Sequence, residues 1–154
     1  MLNEDEHKNI INKNKNIIKT VLITFFTMLS LILFFDKTLT RFDTIFTIVI
    51  LSIQMITYIS CFICWNRKYV NTMHYMLCIL ILIALLSTNK CIISYFLIVM
   101  ITMLLGWHNF NGCVFGKLEW QFKIGNFVLN INENIIDFAA YTLFFIYIIK
   151  FFNC

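Results

Sequence analysis

Polar and apolar positions in this chain are segregated into blocks. Residues 1–16 are polar, with Glu4, Asp5 and Glu6 ahead of Lys8, Lys13 and Lys15. Apolar runs follow at 17–35, 45–65, 73–87, 91–107 and 135–152. A helix that crosses bilayer hydrocarbon needs roughly 20 residues, with a range of about 17 to 25. The runs are continuously apolar and do not alternate with period two, which points to helices and away from the strands of a membrane barrel. Residues 73–107 would extend roughly 50 Å as one helix, too far for a single crossing. The polar break Ser87-Thr88-Asn89-Lys90 therefore predicts a tight helical hairpin. The pattern predicts an all-α fold, a polytopic transmembrane helical bundle of five spans. Four spans are the alternative, if the short third run is re-entrant.

Composition agrees with that pattern. The chain has 154 residues, of which 60% are hydrophobic and 13% charged. A soluble domain carries about 25% charged residues. A domain this small has too much surface for its volume to hide so many apolar side chains from water. The expected partner is thus a lipid bilayer, with other membrane proteins beside it. The net charge of +4 includes no dense basic run, which argues against nucleic acid. The first apolar run is followed by Asp36 and Lys37, with no small-residue cleavage pattern, so it is expected to remain as a span. The cysteines at 61, 64, 78, 91, 113 and 154 fall mostly in or beside apolar runs, unlike a secreted disulfide framework.

Basic residues set the expected orientation. With the N-terminus inside, Lys8, Lys13, Lys15, Lys19, Arg67, Lys68, Lys117 and Lys123 are inside. Lys37, Arg41, Lys90 and Lys150 are outside, as is the C-terminus. The organisation is then a tail over 1–16, a bundle over 17–152, and an interfacial loop over 106–134 on the inner side. Trp65, Trp107 and Trp120 are the expected interfacial anchors.

Helices in lipid associate through small residues, hydrogen bonds and close packing. Thr20, Thr24, Thr27 and Ser30 recur at helical spacing on the first helix. Thr47, Gln54, Thr57, Cys61 and Cys64 do so on the second. Both stripes are expected to face the interior, and each other. Asp137, Ala140, Tyr141 and Phe144 share a face of the last helix, expected to turn inward.

Candidate chemistry is sparse. Gln54 marks either a transport path or an interhelical hydrogen bond. The latter is expected, because no other amide joins it at midspan. Cys61-Phe-Ile-Cys64 has the redox spacing without the partly exposed, thiolate-stabilising setting that redox chemistry needs. Asp137 and Lys150 complement the helix dipole at opposite ends of their helix. His108, Cys113 and Glu119 are the one close group with ligand or acid–base capacity, suited to a transition metal or a Cys–His nucleophile. Their spacing matches no established catalytic pattern, and neither a metal nor a cofactor is expected.

That group lies in GWHNFNGCVFGKLEW, residues 106–120. Gly106 is expected to end the fourth helix. Asn111-Gly112 has turn chemistry. Leu118, Trp120 and Phe122 alternate with Lys117, Glu119, Gln121 and Lys123, as in a hairpin or an interfacial segment. Gly106-Trp107, Cys113 and Leu118-Glu119 resemble a segment of small uncharacterised multi-pass membrane proteins, bacterial and of large DNA viruses. In the bacterial group a helix ends in Gly-Trp, followed by Cys-Pro-Leu-Thr and Leu-Glu; this chain has Val114-Phe115-Gly116 after its cysteine. The resemblance implies a membrane fold and no catalytic activity.

The expected role is a structural or interaction subunit, or an assembly factor, in a membrane. The alternatives are a membrane-embedded enzyme or thiol/metal protein using the 106–120 loop, and a small transporter or channel.

Overall fold

The computed structural model describes residues 9, 12–64, 67–110, 121–124, 127–130 and 133–153. Among them the long elements are five helices: α1 (Lys15–Phe35), α2 (Arg41–Phe62), α3 (Arg67–Ala84), α4 (Lys90–Phe110) and α5 (Glu133–Asn153). Between α4 and α5 lies an antiparallel hairpin, β1 (Gln121–Ile124) and β2 (Phe127–Asn130). Its register pairs Phe122 with Leu129 and Ile124 with Phe127.

The helices start and stop where side chains can replace lost backbone partners. α1 stops at Asp36, whose carboxylate accepts from the Thr38 backbone N–H at 2.8 Å, a local turn that competes with helix. α2 starts in a reciprocal capping box. Thr40 Oγ1 accepts from the Asp43 N–H at 3.1 Å, and Asp43 Oδ2 accepts from the Thr40 N–H at 3.1 Å. α4 starts at Asn89, whose Oδ1 accepts from the Ile92 N–H at 3.0 Å. The end of α3 tightens: Leu85, Leu86 and Ser87 N–H groups donate to the carbonyls of Leu82, Ile83 and Ala84. These three-residue-spaced bonds leave the Ile81 carbonyl without its helical donor.

Loop 36–40, turn 85–89 and the C-terminal end of α5 meet at one end of the molecule, termed here the first end. The opposite, second end is closed by Ile18, Leu22, Cys61 and Val70. α1 packs on α2 and α4, α2 along α3, and α4 along both α3 and α5. The main core runs between them through Leu29, Ile50, Ile92, Tyr95, Met100 and Tyr147. α2 and α4 also meet through the stacked rings of Phe46 and Phe96, 5.9 Å apart.

By length and composition, α1 and α2 are long and apolar enough to cross a membrane. The apolar stretches of the other helices, 75–84, 90–106 and 138–153, are shorter.

Several sequence expectations change. The α1 stripe does not face inward: Thr20, Thr24 and Thr27 are exposed and Ser30 is half-buried. Thr27 and Ser30 donate to the carbonyls of Ile23 and Phe26, one turn back, at 2.9 and 2.8 Å. Hydroxyls satisfied within their own helix need no neighbour, and α1 buries Ile18, Leu22 and Leu29 instead. On α5, Ala140 is buried and Phe144 half-buried, but Tyr141 is exposed; Tyr147 takes the inward position. Gly106 does not end α4, which continues to Phe110. A glycine inside a helix costs about 1 kcal/mol, little against the packing of the rest of this 21-residue helix. Cys64 is exposed, because the α2 helix ends two residues before it.

Candidate functional site

Two polar features stand out in a largely apolar interior. The larger is a junction at the first end. Asp43 and Ser87 are fully buried, at 0% and 1% exposure, and Asn89 is nearly so. Ser87 Oγ donates to Asp43 Oδ1 at 2.6 Å, while Thr40 Oγ1 donates to Asp43 Oδ2 at 2.7 Å. Ser87 Oγ in turn accepts from the Asn89 N–H at 3.1 Å. Asn89 Nδ2 donates to Asp36 Oδ2 at 2.9 Å and to Thr38 Oγ1 at 3.0 Å. One set of side chains therefore caps α2, caps α4 and ties the α1–α2 loop to the α3–α4 turn.

α5 closes the junction from the side. Tyr147 Oη donates to the orphaned Ile81 carbonyl, and Lys150 Nζ donates to the Leu85 carbonyl. The Lys90 ammonium sits 5.3 Å from the centre of the Phe151 ring, a cation–π distance. Lys150, expected only as a dipole-complementing anchor, thus reaches a carbonyl of another turn.

The smaller feature lies at midspan. Gln54 Nε2 donates to Tyr95 Oη at 2.6 Å, joining α2 to α4. Tyr95 is flanked by Phe25 and Phe96, both edge-on, with ring centres at 5.9 and 5.2 Å. Thr47, Thr57 and Cys61 are buried on the same side of α2. No family model, curated protein or solved structure matches the chain. Any reading of function therefore stands on this geometry alone.

The other candidates are placed as follows. His108 is exposed in the last turn of α4. Cys113, Glu119, Trp65 and Trp120 lie outside the described residues, as do the side chains of Trp107 and Asp137. The geometry of a His108–Cys113–Glu119 group is thus outside what the structure describes. Cys61 and Cys64 are both free thiols. Among the described residues no three His, Cys, Asp or Glu side chains converge as a metal cluster would.

The junction was not anticipated as a unit. Its local halves carry signals: Thr40-x-x-Asp43 ahead of an apolar run has capping-box spacing, and Asn89 precedes the 91–107 run. Nothing local signals that Ser87 meets Asp43.

Asp36 provides a pH test of the junction. The Thr38 hydroxyl first, then the Asn89 amide and the Thr38 N–H, donate to its carboxylate; they outweigh partial burial and lower its pKa from 3.8 to about 2. A lowered folded-state value contributes stability that is complete above the unfolded pKa and lost as pH falls through the folded one. The stability difference between wild type and Asp36→Asn should therefore shrink as pH falls from about 4 to about 2. Thermal unfolding in detergent across this range measures it. A difference that stays constant would show that the carboxylate is not held in its charged form.

Proposed function

We propose that the chain is an integral membrane protein whose five helices all cross the bilayer, acting as a structural or interaction subunit. One observation carries the membrane reading: large apolar side chains point outward along every helix. Phe35 of α1 is 76% exposed and Ile45 of α2 is 64% exposed. Ile79 of α3, Leu105 of α4, and Phe145 and Phe152 of α5 are likewise exposed. Monomers in water rarely expose continuous apolar surface beyond a few hundred Å². A core helix of a soluble protein is mostly buried, whereas only 17% of the apolar window of α1 lies inside. Lipid is the solvent that suits such a surface.

The N-terminus is read as inside. Lys15 and Lys19 lie at the second end, and the chain positions of Arg67 and Lys68, at the start of α3, add to them. The first end carries Lys37, Arg41, Lys90 and Lys150, but Asp36 and Asp43 as well. The β1–β2 hairpin between α4 and α5, which contains Phe122, Ile124, Phe127 and Leu129, suits an interfacial position.

The interaction role draws support from the outer face of α1. Thr20, Thr24 and Thr27 give this little-buried helix a hydroxyl stripe that a neighbouring transmembrane helix can approach closely. A transport role has less support. The Gln54 amide is engaged by Tyr95, and Ile50, Ile92, Ile93 and Leu29 of the main core are buried at 0–1% exposure.

One preparation tests both parts. Cys64 and Thr88 are exposed at opposite ends. In sealed vesicles, an impermeant maleimide should label Thr88→Cys from outside and leave a lone Cys64 untouched until the vesicles are opened. Labelling of both from one side would end the five-span reading. Solubilisation of the same vesicles in mild detergent should then yield a membrane partner that is lost with Thr24→Phe and Thr27→Phe. A monomer with measurable turnover would instead favour the catalytic reading.

A further inference from the structure

The Gln54 amide and the Tyr95 phenol cannot satisfy each other. Gln54 is 5% exposed and Tyr95 1%, so bulk water reaches neither. A single bond joins them, from Nε2 to Oη. Gln54 Oε1 is buried with no hydrogen-bond partner. The phenol has given its oxygen as acceptor and still carries a proton that needs one. Rotating the amide does not remove the shortage. With Oε1 facing the phenol, Tyr95 donates to it, and both N–H groups of the amide are left over. The deficit follows from the number of donors and acceptors and survives either assignment.

An apolar interior penalises each such orphan, and native proteins rarely leave them. Nearby hydroxyls show the usual remedy: Thr57 Oγ1 donates to the Ile53 carbonyl, one turn back, at 2.8 Å. A glutamine amide has no equivalent escape within its own helix. The missing partner must accept from the phenol and donate to the amide oxygen, at one point in the seam between α2 and α4.

We propose that this seam binds an internal water molecule. The water accepts the Tyr95 O–H and donates to Gln54 Oε1. With the amide N–H already on the phenol oxygen, the three groups close a ring in which each donates once and accepts once. Two to four bonds are usual for a buried water. The same chemistry excludes a cation. The site offers one neutral carbonyl oxygen and a hydroxyl oxygen already engaged as acceptor, with no carboxylate beside them, whereas hard cations take six or more oxygens. Water also gives Gln54 a role distinct from a permeation path: it completes a fixed three-part bridge between two helices. Thr47 shows a second deficit on the same face of α2, about two turns toward the first end. Its Oγ1 is buried and unpartnered.

The chain contains two glutamines, Gln54 and Gln121. Protein labelled with ¹⁵N-glutamine therefore shows two side-chain amides, and Gln121→Ala assigns them. In lipid bilayers, water-edited solid-state NMR should show magnetisation passing from water to the Gln54 amide. It should fall several-fold in Tyr95→Phe, with the amide signal itself retained. A Gln54 amide that receives nothing from water in the wild-type protein would overturn the proposal, whether or not the Phe variant folds. Undiminished transfer in a folded Tyr95→Phe would overturn the ring.

Discussion

Asp43→Ala is expected to lower the free energy of unfolding by about 2–4 kcal/mol. The sum has two parts. Loss of the reciprocal cap on α2 accounts for roughly 1 kcal/mol. The remainder is the penalty of leaving the buried Ser87 hydroxyl without its acceptor, roughly 1–3 kcal/mol. Asp43 is completely buried and its two oxygens accept from Ser87 and from both donors of Thr40, so no water stands ready to replace it. Asp43→Asn keeps the volume but exchanges one accepting oxygen for a donor, and should fall between. Ser87→Ala removes the other partner. A double-mutant cycle between the two, read by denaturation in mixed micelles, should return a coupling of about 1 kcal/mol or more, as for residues in direct contact. Additive effects would mean that the bond between turn and helix start does not contribute.

Tyr147→Ala should be more damaging still, at about 3–5 kcal/mol, the range for deleting a buried aromatic ring. Tyr147 has 0% exposure, and its ring stacks near Phe96, with centres 6.2 Å apart. The hydroxyl and the ring are separable. Tyr147→Phe keeps the ring and leaves the Ile81 carbonyl with no donor, since the Leu85 N–H turns to Leu82 instead. That single change should cost about 1–3 kcal/mol. If Phe were neutral, the tightened end of α3 would be satisfied by some other group, and α5 would serve as packing alone. Lys150, which reaches the Leu85 carbonyl one turn further along, gives an independent check on the same edge of α5.

The two variants probe contacts of different legibility. The capping box at Thr40 and Asp43 could be read from four consecutive residues, because a cap is a local exchange between neighbouring side chains and backbone. The bond from Ser87, the Tyr147 bond to Ile81 and the Gln54–Tyr95 bridge could not. Each joins residues far apart in the chain, and their pairing depends on how helices settle against one another.

The same boundary explains the expectation for α1. A stripe of threonines and serine at helical spacing was a sound guide to a shared face, but not to which way that face turns. Hydroxyls that donate to the carbonyl one turn back are satisfied wherever they point. α2 differs because its buried residues include the Gln54 amide of the stripe and, outside the stripe, the Asp43 carboxylate at the helix start. Neither is satisfied within its own helix beyond the cap, so both turn toward partners on other elements.

By itself, then, the order of residues determined how many apolar segments there are and that each of them forms a helix. Those properties depend on hydrophobic run length, capping residues and polar breaks, all of them local. Only the tertiary structure decided which faces are inside, that α5 supplies the donors α3 lacks, and that two loops share one hydrogen-bonded junction. When both the exterior and the interior of a protein are apolar, hydrophobicity no longer distinguishes one from the other. The inward face is then chosen by shape and by the few polar groups that must find partners.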